Sequence, residues 1–167
     1  MERFTLVSKR YLTVKFSRED LKVVGLSCLN LNLRRTTRLI TSFYDSILRP
    51  SGMRITQFTV LASIAYEKEP SITDLAKITD IDRTTLQRSL EILNRDGLIR
   101  IEKKETGNVR SIYLTKKGES KLSEGIGLWE QAQHSLIEDL GKTKFKDTLK
   151  ILSEIRKLPV LKTESEK

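Results

Sequence analysis

A mainly α fold carrying one small β-hairpin is what the sequence predicts, on three grounds. Apolar residues recur at helical spacing through most of the chain, and only three prolines occur in 167 residues. One pair of short β-compatible runs, Leu98 to Lys103 and Val109 to Leu114, flanks a loop reading Glu105-Thr106-Gly107-Asn108. Apolar positions three and four apart line one face of a helix. Scarce proline leaves helices unbroken, and Gly-Asn between such runs signals a tight hairpin.

Residues 1–22 alternate loosely, with Leu12, Val14 and Phe16 on one side of a candidate strand, and hold six basic against three acidic residues. They read as an extension outside the main fold; a basic arm, a vector-derived segment and an over-long start all fit. From about Val24 to Leu48, the residues Leu29, Leu33, Ile40, Tyr44 and Ile47 recur at helical spacing, with Arg34, Arg35 and Arg38 on the opposite face. Arg49-Pro50-Ser51-Gly52 ends this helix, because proline disfavours helical backbone in the residue before it and glycine relaxes the turn. Thr56 is the expected N-cap of a second helix that turns Phe58, Leu61 and Ala65 inward and stops near Lys68, before Pro70.

Ser71 and Ile72 suit a very short strand, and Thr73 is the expected cap of a short helix through Ile78. Asp80 takes the following turn, since Asp tolerates left-handed backbone better than most residues. Asp82 caps the next helix, whose buried stripe is Leu86, Leu90 and Leu93, and Asp96-Gly97 closes it with a left-handed cap. After the hairpin, Thr115 caps a long helix with Leu122, Ile126, Trp129, Leu136 and Leu140 on one side, ended by Gly141. A last helix, roughly 144 to 158, presents Phe145, Leu149, Leu152 and Ile155 before Pro159 and a polar tail.

The order helix, tight turn, polar-faced helix, basic hairpin is a helix-turn-helix followed by a β-wing, an architecture that places its second helix in the major groove of duplex DNA. The inward leucines leave Arg83, Thr84, Thr85, Gln87, Arg88, Glu91 and Arg95 facing out. Arg suits guanine, Gln suits adenine, and threonine methyls meet thymine methyls. Between Arg83 and Lys117 lie nine basic and four acidic residues, within a chain of net charge +9. Lys103, Lys104, Asn108 and Arg110 flank or form the wing tip, where cations reach phosphates or a narrow minor groove.

These residues resemble the MarR (multiple antibiotic resistance regulator) family of winged-helix transcription factors over about residues 24–158. The resemblance is carried by Leu75-Ala76, Asp82-Arg83-Thr84-Thr85-Leu86, Asp96-Gly97-Leu98-Ile99 and Leu114-Thr115-x-x-Gly118, with Asn32-Leu33-Arg34-Arg35 and Leu48-Arg49-Pro50-Ser51-Gly52 similar to one branch. It implies a homodimer, a palindromic operator, and a repressor released when a small phenolic or other ligand enters a cleft lined by the first, second and fifth helices. The organisation it implies is an extension over 1–22, a helical dimerisation region over 23–52 and 119–158, a winged helix-turn-helix over 53–118 and a polar tail over 159–167. Three features depart from the family pattern. The wing reads Thr106-Gly107-Asn108-Val109-Arg110 in place of Asp-x-Arg, the helix-turn-helix turn carries Thr79-Asp80 in place of Leu-Gly, and the N-terminal extension has no counterpart.

Other classes are disfavoured. Cys28 is the single cysteine, so no intrachain disulfide framework or multi-cysteine zinc pattern exists. Its place near the start of the first helix invites a redox-sensing reading, which resembles one branch of the family; a small buried cysteine is the commoner case. His134 is alone and lacks partners at metal-ligand spacing. No phosphate loop, nucleophile elbow or cofactor motif is present, so an enzyme is not expected. No apolar run approaches the roughly 18 residues needed to span a bilayer, and no secretory core follows the N-terminus, so a cytoplasmic protein is expected. The rival from another class is a winged-helix module that binds protein instead of DNA.

Overall fold

The computed structural model describes residues 16–103 and 110–161. The expected strand within 1–15, the tip residues Lys104 and Asn108, and the tail beyond Leu161 lie outside them. The chain forms two units, one ending at Ser42 and the other beginning at Phe43.

In the first unit, helix α1 (Arg18–Ser27) precedes helix α2 (Leu29–Leu48), whose last turns belong to the second unit. The sequence predicts one helix from Val24 and an extension through residue 22; instead a helix starts at Arg18. The cause is a capping box: Asp20 N–H donates to Ser17 Oγ at 3.0 Å, and Ser17 N–H donates to Asp20 Oδ2 at 3.0 Å. Such reciprocal bonds satisfy two of the free N–H groups of a first turn. The break falls at Cys28, with φ −70° and ψ 107°. There the Asn32 side-chain amide donates to Leu26 O at 3.1 Å, a carbonyl that a continuous helix would use itself, and to Cys28 O at 3.0 Å, which also accepts from Asn32 N–H.

The second unit holds the buried core. The end of α2 passes through a 3₁₀ turn (Arg49–Ser51) to Gly52, at φ 68°. Helix α3 (Ile55–Glu67) starts one residue before the expected Thr56 cap, with Arg54 as N-cap. Asp45 Oδ1 accepts from Ile55 N–H at 2.8 Å and Gln57 Oε1 accepts from Arg54 N–H at 3.0 Å, so carboxylate and amide side chains replace a local hydroxyl cap. Phe58 and Leu61 point inward as expected, but Ala65 is exposed and Ile64 takes the buried position. Helix α4 (Ile72–Thr79) is capped by Ser71, not Thr73: Asp74 N–H donates to Ser71 Oγ at 3.2 Å and Ser71 N–H donates to Asp74 Oδ2 at 2.9 Å. Ser71 also pairs in a single bridge with Ser111, while Ile72 is already helical.

Asp80 turns the chain at φ 54° and ψ 31° into helix α5 (Arg83–Arg95). Leu86, Leu90 and Leu93 are all at most 1% exposed; burying each stabilises by about 1.5–3 kcal/mol. After Gly97, strands β1 (Ile99–Lys103) and β2 (Arg110–Leu114) pair antiparallel, with Ile101 opposite Ile112 and Lys103 opposite Arg110. Helix α6 (Lys116–Leu140) is capped by Thr115 and packs on α3 through Leu122 and Gly125. Its stripe differs from the expected one. Ile126 and Leu140 are over 40% exposed, whereas Gly118, Leu122, Gly125 and Ala132 are buried. Gly141 ends it, and helix α7 (Lys142–Ile155) folds back against it before a 3₁₀ turn at Pro159–Leu161.

Candidate nucleic-acid interface

The reading helix is aimed by its own buried side. With three leucines locked into the core, Arg83, Thr84, Thr85, Gln87 and Arg88 are all exposed, and they fill the first two turns of α5. Thr85 N–H donates to Asp82 Oδ1 at 2.9 Å, which fixes where the helix starts. Hydrogen bonds with Thr85 hold the Asp82 carboxyl below its ordinary value, and the Arg88 guanidinium pulls weakly the same way. Further along, Gln87 Nε2 donates to Glu91 Oε1 at 3.4 Å.

The wing supplies the second half of the surface. Lys103 and Arg110 are exposed and face one another across the strands. With Glu91, Asn94 and Ile101 they line a recess of about 480 Å³ between the wing and the C-terminal half of α5. Spacing alone does not reveal that Glu91 and Asn94 join the wing cations, because the wing's approach to α5 is a tertiary feature. At the wing base, Arg100 Nε pairs with Glu102 Oε1 at 2.9 Å, and its guanidinium lies 4.8 Å from the Tyr113 ring centroid.

The remaining candidates lie elsewhere. Cys28 sits half-buried at the junction of α1 and α2, with its carbonyl accepting from Asn32. Arg34, Arg35 and Arg38 are exposed on α2. His134 pairs with Glu138 on the same helix at 3.3 Å. Among the described residues no cluster of His, Cys, Asp and Glu could hold a metal ion, and no helix is long and apolar enough to cross a membrane. A second recess, also about 480 Å³, lies among α3, the wing base and α6, with Ile64, Leu122 and Ile126 on its walls and Lys68, Arg100 and Tyr113 beside them. Helices α3 and α6 correspond to the second and fifth helices expected from the sequence around an effector cleft, and the wing base stands where the first, now α2, is expected.

Comparison with known proteins agrees with this geometry. The sequence profile of the MarR family matches residues 51–107. The crystal structure of the M. tuberculosis transcriptional regulator MosR is 31% identical, with a TM-score of 0.68, covering 79% of this chain and 97% of that one. MosR in complex with DNA is 32% identical at a TM-score of 0.65, covering 79% of this chain and 100% of that one. The fold alone is shared with a mutant MarR from E. coli complexed with operator DNA, 18% identical at a TM-score of 0.73, covering 80% of this chain and 96% of that one. None of the curated protein sequences compared matches significantly. The chain belongs to the MarR family and is a winged-helix, DNA-binding transcription regulator.

Proposed function

We propose that the protein is a homodimeric, cytoplasmic repressor that binds a palindromic operator and releases it when a small ligand, such as an aromatic acid, binds. The observation that carries this reading is the exposed first face of α5, fixed by a fully buried leucine stripe and flanked by the cation pair Lys103 and Arg110. Arg88 and Gln87 read guanine and adenine edges, Thr84 and Thr85 meet thymine methyls, and Arg83 joins them at the groove edge. Lys103 and Arg110 hold the backbone, with Lys104 and Asn108 beside them in sequence. Two-fold symmetry spaces the two α5 helices by about one DNA turn, roughly 34–36 Å.

Dimerisation is supported by apolar residues left in solvent. Leu21, Val24, Leu29 and Leu39 on α1 and α2, and Leu149 and Ile151 on α7, are each over half exposed. A monomer seldom leaves so many large apolar side chains uncovered. The recess among α3, the wing base and α6 has the size of ordinary ligand pockets, which supports an effector site there. Footprinting upstream of the protein's own gene, with aromatic acids as competitors, tests the whole reading. Two protected half-sites one turn apart, lost with an acid present, are expected. Absence of duplex binding even at low salt would instead favour a winged-helix module for protein contact, since DNA affinity falls steeply with salt and apolar contact does not.

A further inference from the structure

Three successive backbone carbonyls leave the reading helix at its C-terminal end, and each meets a donor from the start of α6. Lys117 Nζ donates to Asp96 O at 2.8 Å, Thr115 Oγ1 to Gly97 O at 2.7 Å, and Thr115 N–H to Leu98 O at 3.1 Å. Thr115 Oγ1 also accepts from Gly118 N–H at 3.1 Å, so one hydroxyl closes α5 and opens α6. The Leu98 carbonyl lies directly against Gly118, where a Cβ would have no room.

The last carbonyls of a helix lack partners within it and carry the negative end of its dipole. An ammonium placed there gains a hydrogen bond and a favourable field together. Lys117 is the one charged side chain in this set. Lys116 beside it is exposed, and its ammonium has no hydrogen bond or ion pair among the described residues.

We infer that Lys117 is a positioning residue for DNA reading and not a phosphate contact: it fixes the pitch of α5 against α6, so that Gln87 and Arg88 enter the groove at the angle their bases require. The inference rests on the DNA-binding reading above and deepens it. It also gives displacement of α6 a direct route to the reading helix, because the two share one hydrogen-bonded joint.

Salt dependence separates positioning from phosphate contact, since each neutralised phosphate steepens the slope of log K against log salt by about 0.9. The test uses the full chain, a duplex selected by the wild type from a randomised library, and a scrambled duplex of the same composition. Lys117→Met is expected to weaken the selected duplex about tenfold, to leave the scrambled duplex and the salt slope unchanged, and to speed amide exchange at residues 96–98 in the free protein. Lys117→Arg, which keeps donor and charge, restores affinity; Lys116→Met leaves the free-protein exchange untouched. Equal loss on both duplexes with a slope shallower by about one overturns the inference, as does a Lys117→Met protein that matches the wild type. A wild type that selects no duplex overturns the DNA reading together with this one, whereas a wild type that binds isolates the failure to Lys117.

Discussion

A guanidinium that reads a base edge and an ammonium that meets a phosphate lose different things when removed. Arg88→Ala should cost about 1–3 kcal/mol at one base position and flatten the preference there, because the bidentate donor pair is gone. Lys103→Ala should weaken all duplexes alike and make the salt slope shallower by about one. Competition binding on a set of single-base operator variants distinguishes them; a uniform loss from Arg88→Ala would remove it from base reading. Asp82 carries a pH signature. Its folded carboxyl is held below the ordinary value of 3.8 by bonds to Thr85, so the native state holds the proton more weakly than the unfolded chain. Its contribution is therefore present above about pH 3.8 and is lost as pH falls through the lower folded value. Asp82→Asn should make the acid limb of the unfolding curve shallower, which urea midpoints between about pH 5 and pH 2 would reveal; an unchanged limb would show the cap has no part in it.

Elements are held by the close approaches that two glycines permit, and the approaches are not alike. At Gly118 a new Cβ meets the Leu98 backbone carbonyl, which is pinned by Thr115 N–H and cannot retreat. At Gly125 it meets Met53 Cε at 2.6 Å and Phe58 Cδ2 at 2.9 Å, and a methionine end can swing aside. Overpacking costs about 1–3 kcal/mol, while Gly to Ala inside a helix returns about 1 kcal/mol. Gly118→Ala should thus destabilise by up to about 2 kcal/mol, and Gly125→Ala by less, since there only side chains must shift. Urea melts check the order, and equal midpoints would contradict it. The same elements show what can be read in advance. Asp80, Asp82, Gly97, Thr115 and Gly141 act as expected because their roles are local: a left-handed turn, an N-cap, a C-cap. Arg54 escapes a reading of the sequence because its first turn is closed from a distance, by Asp45 reaching Ile55. The Ser-x-x-Asp boxes at Ser17 and Ser71 are local signatures, obscured at Ser71 by Thr73, which offers a rival cap hydroxyl two residues on. The exposed face of α5 is legible because the leucine stripe fixes it from within one helix. The joint of Lys117 with Asp96 is not, since the whole wing separates its partners in sequence.

At the scale of the whole molecule, the two apolar surfaces that the chain leaves in water make a prediction about its partner. On α7, Leu149 is 53% exposed and Leu152, one turn along the same face, is half-buried, and on α1 and α2 Leu21, Val24 and Leu29 are between 56% and 60% exposed. An amphipathic helix is stable when its apolar stripe is covered, and the same stripe on a second copy of the chain would cover that of α7 through a two-fold axis. Replacing Leu149 and Leu152 together by Glu should therefore yield a folded monomer, because neither contributes to the core around Leu61 and Leu90. The consequence for DNA follows from linkage of two reading heads. In such a dimer the second half-site would be bound intramolecularly, which raises affinity by about 10²–10⁴ over one head alone. The double variant should lose that factor on a palindromic duplex yet bind an isolated half-site as the wild type does. Light scattering reports the mass and titration on the two duplexes reports the affinities. A variant that stays dimeric would place the interface elsewhere, and a monomer with undiminished affinity for the palindrome would mean that one winged helix suffices.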